Sequence, residues 1–346
     1  MIQGKHFDRA FLIGLACLQA FLASAFYFRE IAWYPAARWD QTVFLSQSYE
    51  LEERVFAHGP IELVKALWSD ENPNGLLLPI EGALSGIVLG GTRFPQLLVN
   101  FLFFVGLQLF AFTVAKNAFN HRAYGYLLVG LILCEASPWY WPGGLFDFRQ
   151  DFSAYCLYGA WTCAVLRSGT FAERRWSIAA GAIGAILVLH RYLTVVYLSG
   201  ILLGLAGLLI GLALIWRARS DLVGETRYRL RNFIFSVLTL SLVCLPILVR
   251  NWENLYDYYV VGHVLSGEQN VRAAGLGVFS LTDHLLFYPR SLVFDHLGLS
   301  FIWAVFSAIA VALMAFIGQK LGKWRSDNPA PAAERIYECC FLLLAI

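Results

Sequence analysis

Two acidic stretches carry the residue types that could do chemistry in this chain. Arg38 to Tyr49, RWDQTVFLSQSY, presents Asp40 just beyond the first long apolar run, and Phe146 to Asp151, FDFRQD, places Asp147, Arg149 and Asp151 at the entrance to another. A carboxylate beside an apolar zone can serve as general base towards a hydroxyl, and an arginine next to it can hold an anionic group by charge-assisted hydrogen bonds. A charge at mid-helix in hydrocarbon costs about 2.5 to 3.5 kcal/mol and less near the surface, so such clusters persist where they are paired or used. Structural roles compete with the chemical ones. Asp40 could cap the helix that follows it, Asp151 could cap a helix starting at 152, and Arg149 could simply neutralise the two acids. Asp147 and Asp151 would share one face if that helix began early.

The elements that must position these residues are apolar. Of 346 residues, 58% are hydrophobic and only 14% charged, which defines an integral membrane protein. The basic residues are scattered through short loops and form no patch, which leaves no footprint for nucleic acid. Seven cysteines lie mostly inside apolar runs without CxxC or Cys/His spacing, so neither a disulfide framework nor a thiolate metal site is expected. Runs long enough to cross about 30 Å of hydrocarbon as helices lie near 10–28, 96–115, 123–138, 152–167, 176–190, 194–216, 232–249 and 298–317. This predicts an all-α polytopic bundle with eight complete spans. A ninth run opens at Ile336 and reaches only Ile346, which suggests that the chain stops inside a helix and is a fragment of something longer.

Gly75 to Gly90, GLLLPIEGALSGIVLG, is apolar yet holds Pro79, Glu81 and several glycines. If it does not cross, Lys5 and Arg9, Lys116 and Arg122, Arg174 and Arg175, the basic run 217–231 and Lys320 to Arg325 all fall on one side, as the positive-inside rule requires. It is therefore expected to be a juxtamembrane or re-entrant helix inside a long external loop, 29–95, with Glu81 a candidate substrate contact. Within that loop, 41–56 reads as an amphipathic helix and 61–68 as a shorter one. A second external loop is expected at 250–297. On the same side His190 and Arg191 end the 176–190 helix, where an arginine can grip a phosphate or merely snorkel to the interface. Arg272 and Arg290 are further phosphate-contact candidates, and the histidines at 263, 284 and 296 are spaced too irregularly for a metal motif.

One span, a long external loop opening on an acidic motif with amphipathic helices, then a proline-containing apolar helix followed by Arg93-Phe94-Pro95, resembles the GT-C type glycosyltransferases. The nearest subgroup is the protein O-mannosyltransferases with the bacterial aminoarabinose and lipopolysaccharide-core glycosyltransferases, over residues 8–215. Asp40 matches the Asp of that family's Asp-Glu pair and Gln41 stands where the Glu would be. Asn72-Pro73-Asn74 stands in for a His/Lys-Pro-Pro stretch, Asp151 matches a second Asp at the fourth span, and Arg191 matches a basic residue at the end of the fifth. The resemblance implies a GT-C-like bundle that moves a sugar from a polyprenyl-phosphate donor to a lipid, glycan or protein acceptor. The reaction would take place at the outer face of a bacterial inner membrane, as part of cell-envelope glycan assembly. It further implies Asp40 as acceptor base, with Arg149, Arg191 or a divalent cation stabilising the departing phosphate. Two other classes fit the composition: a transporter or lipid flippase, and a non-catalytic relative that binds lipid or a partner. Against a transporter, the acids cluster at helix ends, and no paired interrupted helices point to repeats meeting at mid-membrane.

Overall fold

The computed structural model describes residues 2–35, 39–68, 73–139, 143–215, 220–291 and 293–294, with positions 303 and 306. Among the described residues the chain is all-helical. Four helices among the described residues are long and apolar enough to cross a membrane, over 6–31, 93–118, 194–214 and 224–250. The first is α1 (Ile2–Phe26), which continues through a wide π-helical turn, Tyr27–Ile31. The others fall in α5 (Arg93–Ala118), α9 (Thr194–Ile215) and α10 (Ser220–Arg250).

The expected count of eight complete spans does not follow. The run at 123–138 folds as α6 (Arg122–Cys134), only 13 residues, about 20 Å at 1.5 Å per residue. It ends where Glu135 leaves helical geometry and its carboxylate accepts hydrogen bonds from Ser137 Oγ and Tyr155 Oη. α7 (Gln150–Arg167) and α8 (Arg174–His190) have 18 and 17 residues, the short end of what spans hydrocarbon. Both instead carry the core, where Trp161, Ala164, Ala180, Leu187 and Val188 are essentially buried. The runs at 298–317 and from Ile336 lie outside the described residues, two positions excepted.

Close packing of α8 on α10 depends on a missing side chain. A Cβ on Gly181 would sit 2.2 Å from the Ser236 carbonyl oxygen, so only glycine lets the two backbones approach, the small-residue contact common between membrane helices.

The first loop folds as expected into helices: α2 (Trp39–His58), α3 (Ile61–Leu67) and α4 (Leu77–Leu89). The start of α4 is stitched to the end of α8 by backbone hydrogen bonds, Leu76 N to Leu189 O and Tyr192 N to Asn74 O, both 2.9 Å. Gly75 lies between them, and a Cβ there would fall 2.1 Å from the His190 carbonyl oxygen. The far end of α4 turns through Gly90 into α5. Both ends of α4 therefore meet the same end of the bundle. The second expected loop is largely helical: α11 (Trp252–Leu255), a π-helical stretch Tyr256–Leu265, α12 (Glu268–Gly275) and α13 (Leu281–Ser291). Arg250 ties it to the first loop through a 2.7 Å hydrogen bond to the Trp68 carbonyl.

Candidate functional site

The two acidic stretches meet. Arg149 Nη2 lies 2.6 Å from Asp40 Oδ2 and 3.5 Å from Asp151 Oδ2, while Nη1 lies 3.8 Å from Asp147 Oδ2. Asp151 Oδ1 in turn pairs with Arg191 Nη1. Residues from the first turn of α2, the entrance of α7 and the α8–α9 junction thus form one ladder of three carboxylates and two guanidiniums. Asp40 and Asp151 share a single guanidinium nitrogen, well inside the reach of one sugar-sized head group, about 15 Å.

Local structure corrects the capping expectations. Helix α2 begins at Trp39, which puts Asp40 within its first turn rather than before it. The residue preceding α7 is Arg149, whose side chain makes no capping bond, so Asp151 is likewise a first-turn acid and favours the helix dipole instead. Asp147 does not share a helix face with Asp151. It sits in the turn before α7, fully buried, with Oδ2 accepting the Gly143 amide at 2.7 Å and its carbonyl accepting Asn100 Nδ2 at 2.9 Å. Asp40 is 52% exposed, Asp151 35%, Arg191 36% and Arg149 21%. The ladder therefore runs from a solvent-facing acid down to an internal one, and Asp147 anchors the loop while Asp40 and Asp151 keep faces open to a ligand.

Gln41, which spacing alone does not nominate for this role, holds the junction together. It is fully buried, donates to the Phe146 carbonyl at 3.2 Å and accepts from Arg93 Nη2 at 3.2 Å. A carboxylate at that position could accept from Arg93 but could not donate to Phe146, which gives the amide its own logic.

His190 and Glu81 pair with each other and stand apart from the ladder. His190 is completely buried, its Nε2 3.1 Å from Glu81 Oε1 and its ring edge-on to Phe103. It positions the α8–α9 turn from beneath, immediately before Arg191, and offers no surface to a ligand. Gln150 Nε2 completes the support by donating to the Gly75 carbonyl at 3.0 Å.

Arg191 faces the aromatic stretch after α10. Burial pulls its guanidinium below its ordinary pKa, and Tyr259 and Tyr197 oppose the shift. Burial, with Tyr258 beside it, pushes the Tyr259 phenol up to about 12, so it stays a neutral donor at neutral pH. Tyr258 also lines an open cavity of about 490 Å³ whose walls include Pro73, Asp257 and His263. Pro73, on its wall, precedes Asn74, whose carbonyl accepts the amide of Tyr192, the residue after Arg191. Of the remaining candidates, Arg290 lies exposed on α13, with nothing among the described residues joining it to the ladder. Arg272 lies on α12 and its side chain is outside the described residues, as are Arg38 and His296. Among the described residues no three His, Cys, Asp or Glu side chains converge to hold a metal ion.

Fold and ladder together define a helical protein with membrane-spanning segments and a charged site at one end of its bundle. Compared with family models, curated proteins and solved structures, the chain gives no match.

Proposed function

We propose that this chain is a GT-C type glycosyltransferase that moves a sugar from a polyprenyl-phosphate carrier to an acceptor hydroxyl on the non-cytoplasmic face of the membrane. The observation that carries the reading is the convergence of Asp40, Arg149, Asp151 and Arg191 from three separate segments into one half-exposed ladder. The side of the membrane is inferred from the opposite end of the bundle, which gathers Lys116, Arg167, Arg174 and Arg229. In this reading α7 and α8 also cross alongside the four long helices, and the chain returns from α5 to α7 through α6 together with the residues that follow it.

The chemistry is a displacement at the anomeric carbon. The acceptor oxygen forms the new glycosidic bond as the carbon–oxygen bond to the phosphate breaks, and the bonding pair leaves with the phosphate oxygen. Asp40, the most exposed carboxylate of the ladder, takes the acceptor proton. Arg149 and Arg191 meet the phosphate with preorganised donors. In-line geometry gives inversion of configuration.

Membranes containing the protein, supplied with labelled polyprenyl-phosphate sugars, test the proposal. Asp40→Asn and Asp151→Asn are each expected to lower transfer about 100-fold or more, the usual scale for a lost acid–base or positioning carboxylate. Wild-type transfer by both variants removes the assignment. Ion-gradient-dependent uptake without transfer replaces it with a transporter.

A further inference from the structure

Helix α2 is seated in a groove of α4. Gly82 and Gly86, about one turn apart on α4, receive Ser48 and Glu52, about one turn apart on α2, and a Cβ on either glycine would collide with the side chain it receives. The far wall of the groove is α5, held to α4 by a 2.6 Å hydrogen bond from Ser85 Oγ to the Pro95 carbonyl. Glu52 enters this slot and is only 8% exposed. Gly91 closes its end, where a Cβ would lie 2.9 Å from Glu52 Oε1.

Nothing on the walls of the slot suits a negative charge. Facing Glu52 across the missing Gly86 side chain is Gln96, fully buried, with Nε2 3.1 Å from the place that Cβ would take. Neither amide atom of Gln96 has a hydrogen-bond partner, and neither has Glu52 Oε2. Among the described residues no cation pairs with Glu52. The ionisable groups around it offer no relief. On α2, Glu53 adds a like charge, burial keeps the Tyr49 phenol neutral with Tyr27 behind it, and Arg54 and His58 face Glu62 of α3. Glu62 itself pairs with Lys65 at 2.6 Å. On α5, Arg93 donates to the Tyr34 carbonyl and Gln41 Oε1, and on α4, Glu81 is turned to His190. An ionised carboxylate can only accept hydrogen bonds, which leaves Gln96 Oε1 without a donor. A protonated carboxyl has a donor and an acceptor to offer, and a primary amide matches both. Gln96 is complementary to the neutral form of Glu52.

We propose that Glu52 is a proton-binding site that latches α2, and with it Asp40, to the α4–α5 hairpin. Protonated, the carboxyl pairs with Gln96 and α2 lies in the groove. Ionised, it is driven from a slot that gives it no donor, and the outer half of α2 lifts away. Asp40 stands on the same helix, about 18 Å off at 1.5 Å per residue, so the lever that the proton releases ends in the ladder. Burial fixes the sign. Docked, Glu52 holds its proton to higher pH than when released, so docking is complete below the released value and weakens as pH rises towards the docked one. The latch stands independently of the glycosyltransferase reading.

Hydrogen exchange of the full chain in phosphatidylcholine nanodiscs reads the latch, followed from about pH 4 to neutrality and corrected for the intrinsic pH dependence of amide exchange. Protection over 48–58 should fall as pH rises, by up to about tenfold per pH unit, the slope of one released proton, and protection over 39–44 should follow. Glu52→Gln, whose amide keeps a donor and an acceptor for Gln96, should hold protection flat in both segments. Glu53→Gln, which removes the like charge, should end the fall at a lower pH. In infrared difference spectra over the same range the parent should lose a carboxylic C=O band that Glu52→Gln lacks. A parental fall that persists in Glu52→Gln, or parental protection that does not change with pH, would overturn the latch. So would loss of the infrared band with protection unchanged, because Glu52 would then titrate without holding anything. A fall confined to 48–58 would overturn the link to Asp40.

Discussion

The two ends of this bundle use charge in opposite ways. At the basic end polar side chains close the structure on itself. Arg229 is almost fully buried and donates to the Gly169 and Thr170 carbonyls, with Glu225 as its counter-ion, while Asn232 donates to the Phe171 carbonyl at 2.9 Å. Those carbonyls belong to a turn in which Thr170 and Phe171 have φ of 51° and 70°, a left-handed conformation that non-glycine residues rarely hold without such support. At the acidic end the charges face one another, half open, and carboxylates outnumber guanidiniums in the ladder. One end is fastened to its own backbone; the other has groups that can change partners.

The sharpest way to break this contrast is to remove the hub of the ladder. Arg149→Met leaves three carboxylates without their shared cation, one of them fully buried. Transfer should vanish and unfolding in a denaturing detergent titration should become easier by about 3 kcal/mol, the scale for unpairing a buried charge. Adding Asp147→Asn should recover part of the stability and none of the transfer. A single variant as stable as the parent would mean that the ladder does not hold the α7 entrance. Arg229→Met is the matched change at the other end. Losing its hydrogen bonds to the turn should cost about 2 kcal/mol, while transfer per folded molecule stays at the parental level. If transfer per folded molecule fell as it does for Arg149→Met, the division of labour between the ends would be wrong.

A smaller effect concerns Glu52 on the buried face of α2, where burial, with Glu53 beside it, raises the carboxyl above the ordinary glutamate range. A carboxyl of this kind binds its proton more readily folded than unfolded. Its contribution is complete below the unfolded value and is lost as pH rises through the folded one. Glu52→Gln should therefore match the parent near the low edge of that window, about pH 4, and gain on it steadily towards neutrality. Parallel melting curves across that range would show that Glu52 ionises in the fold as freely as in the unfolded chain.

Much of the architecture was legible in the sequence because hydrophobic runs report helices directly. The amphipathic pattern of the first loop reads through to α2 and α3, and the distribution of basic residues puts Asp40 and Arg191 on one side of the bundle. Span counting failed at α6, where Glu135 looks like one polar interruption in an apolar run but ends the helix through bonds from Ser137 and Tyr155. Periodicity cannot reveal a partner 20 residues away across a turn. Contacts such as Glu81 with His190 and Gln41 with Phe146 link positions more than 100 residues apart, so no local pattern announces them. Gln41 looked like a defect in an acidic pair. Its need to donate and accept at once becomes visible only with Arg93 and the Phe146 carbonyl in place.

The single guanidinium shared by Asp40, Asp147 and Asp151 sets an order of events for the proposed reaction. An incoming phosphate cannot simply add to Arg149, because the nitrogen it needs is held by Asp40 at 2.6 Å. It must trade places with that carboxylate, and the exchange releases Asp40 as an unencumbered base at the moment the donor arrives. Without the donor the base is tethered and an acceptor, or a stray water, meets a muted site. Under the proposed reaction the ladder would thus act as an interlock in which the donor frees the base that the acceptor needs.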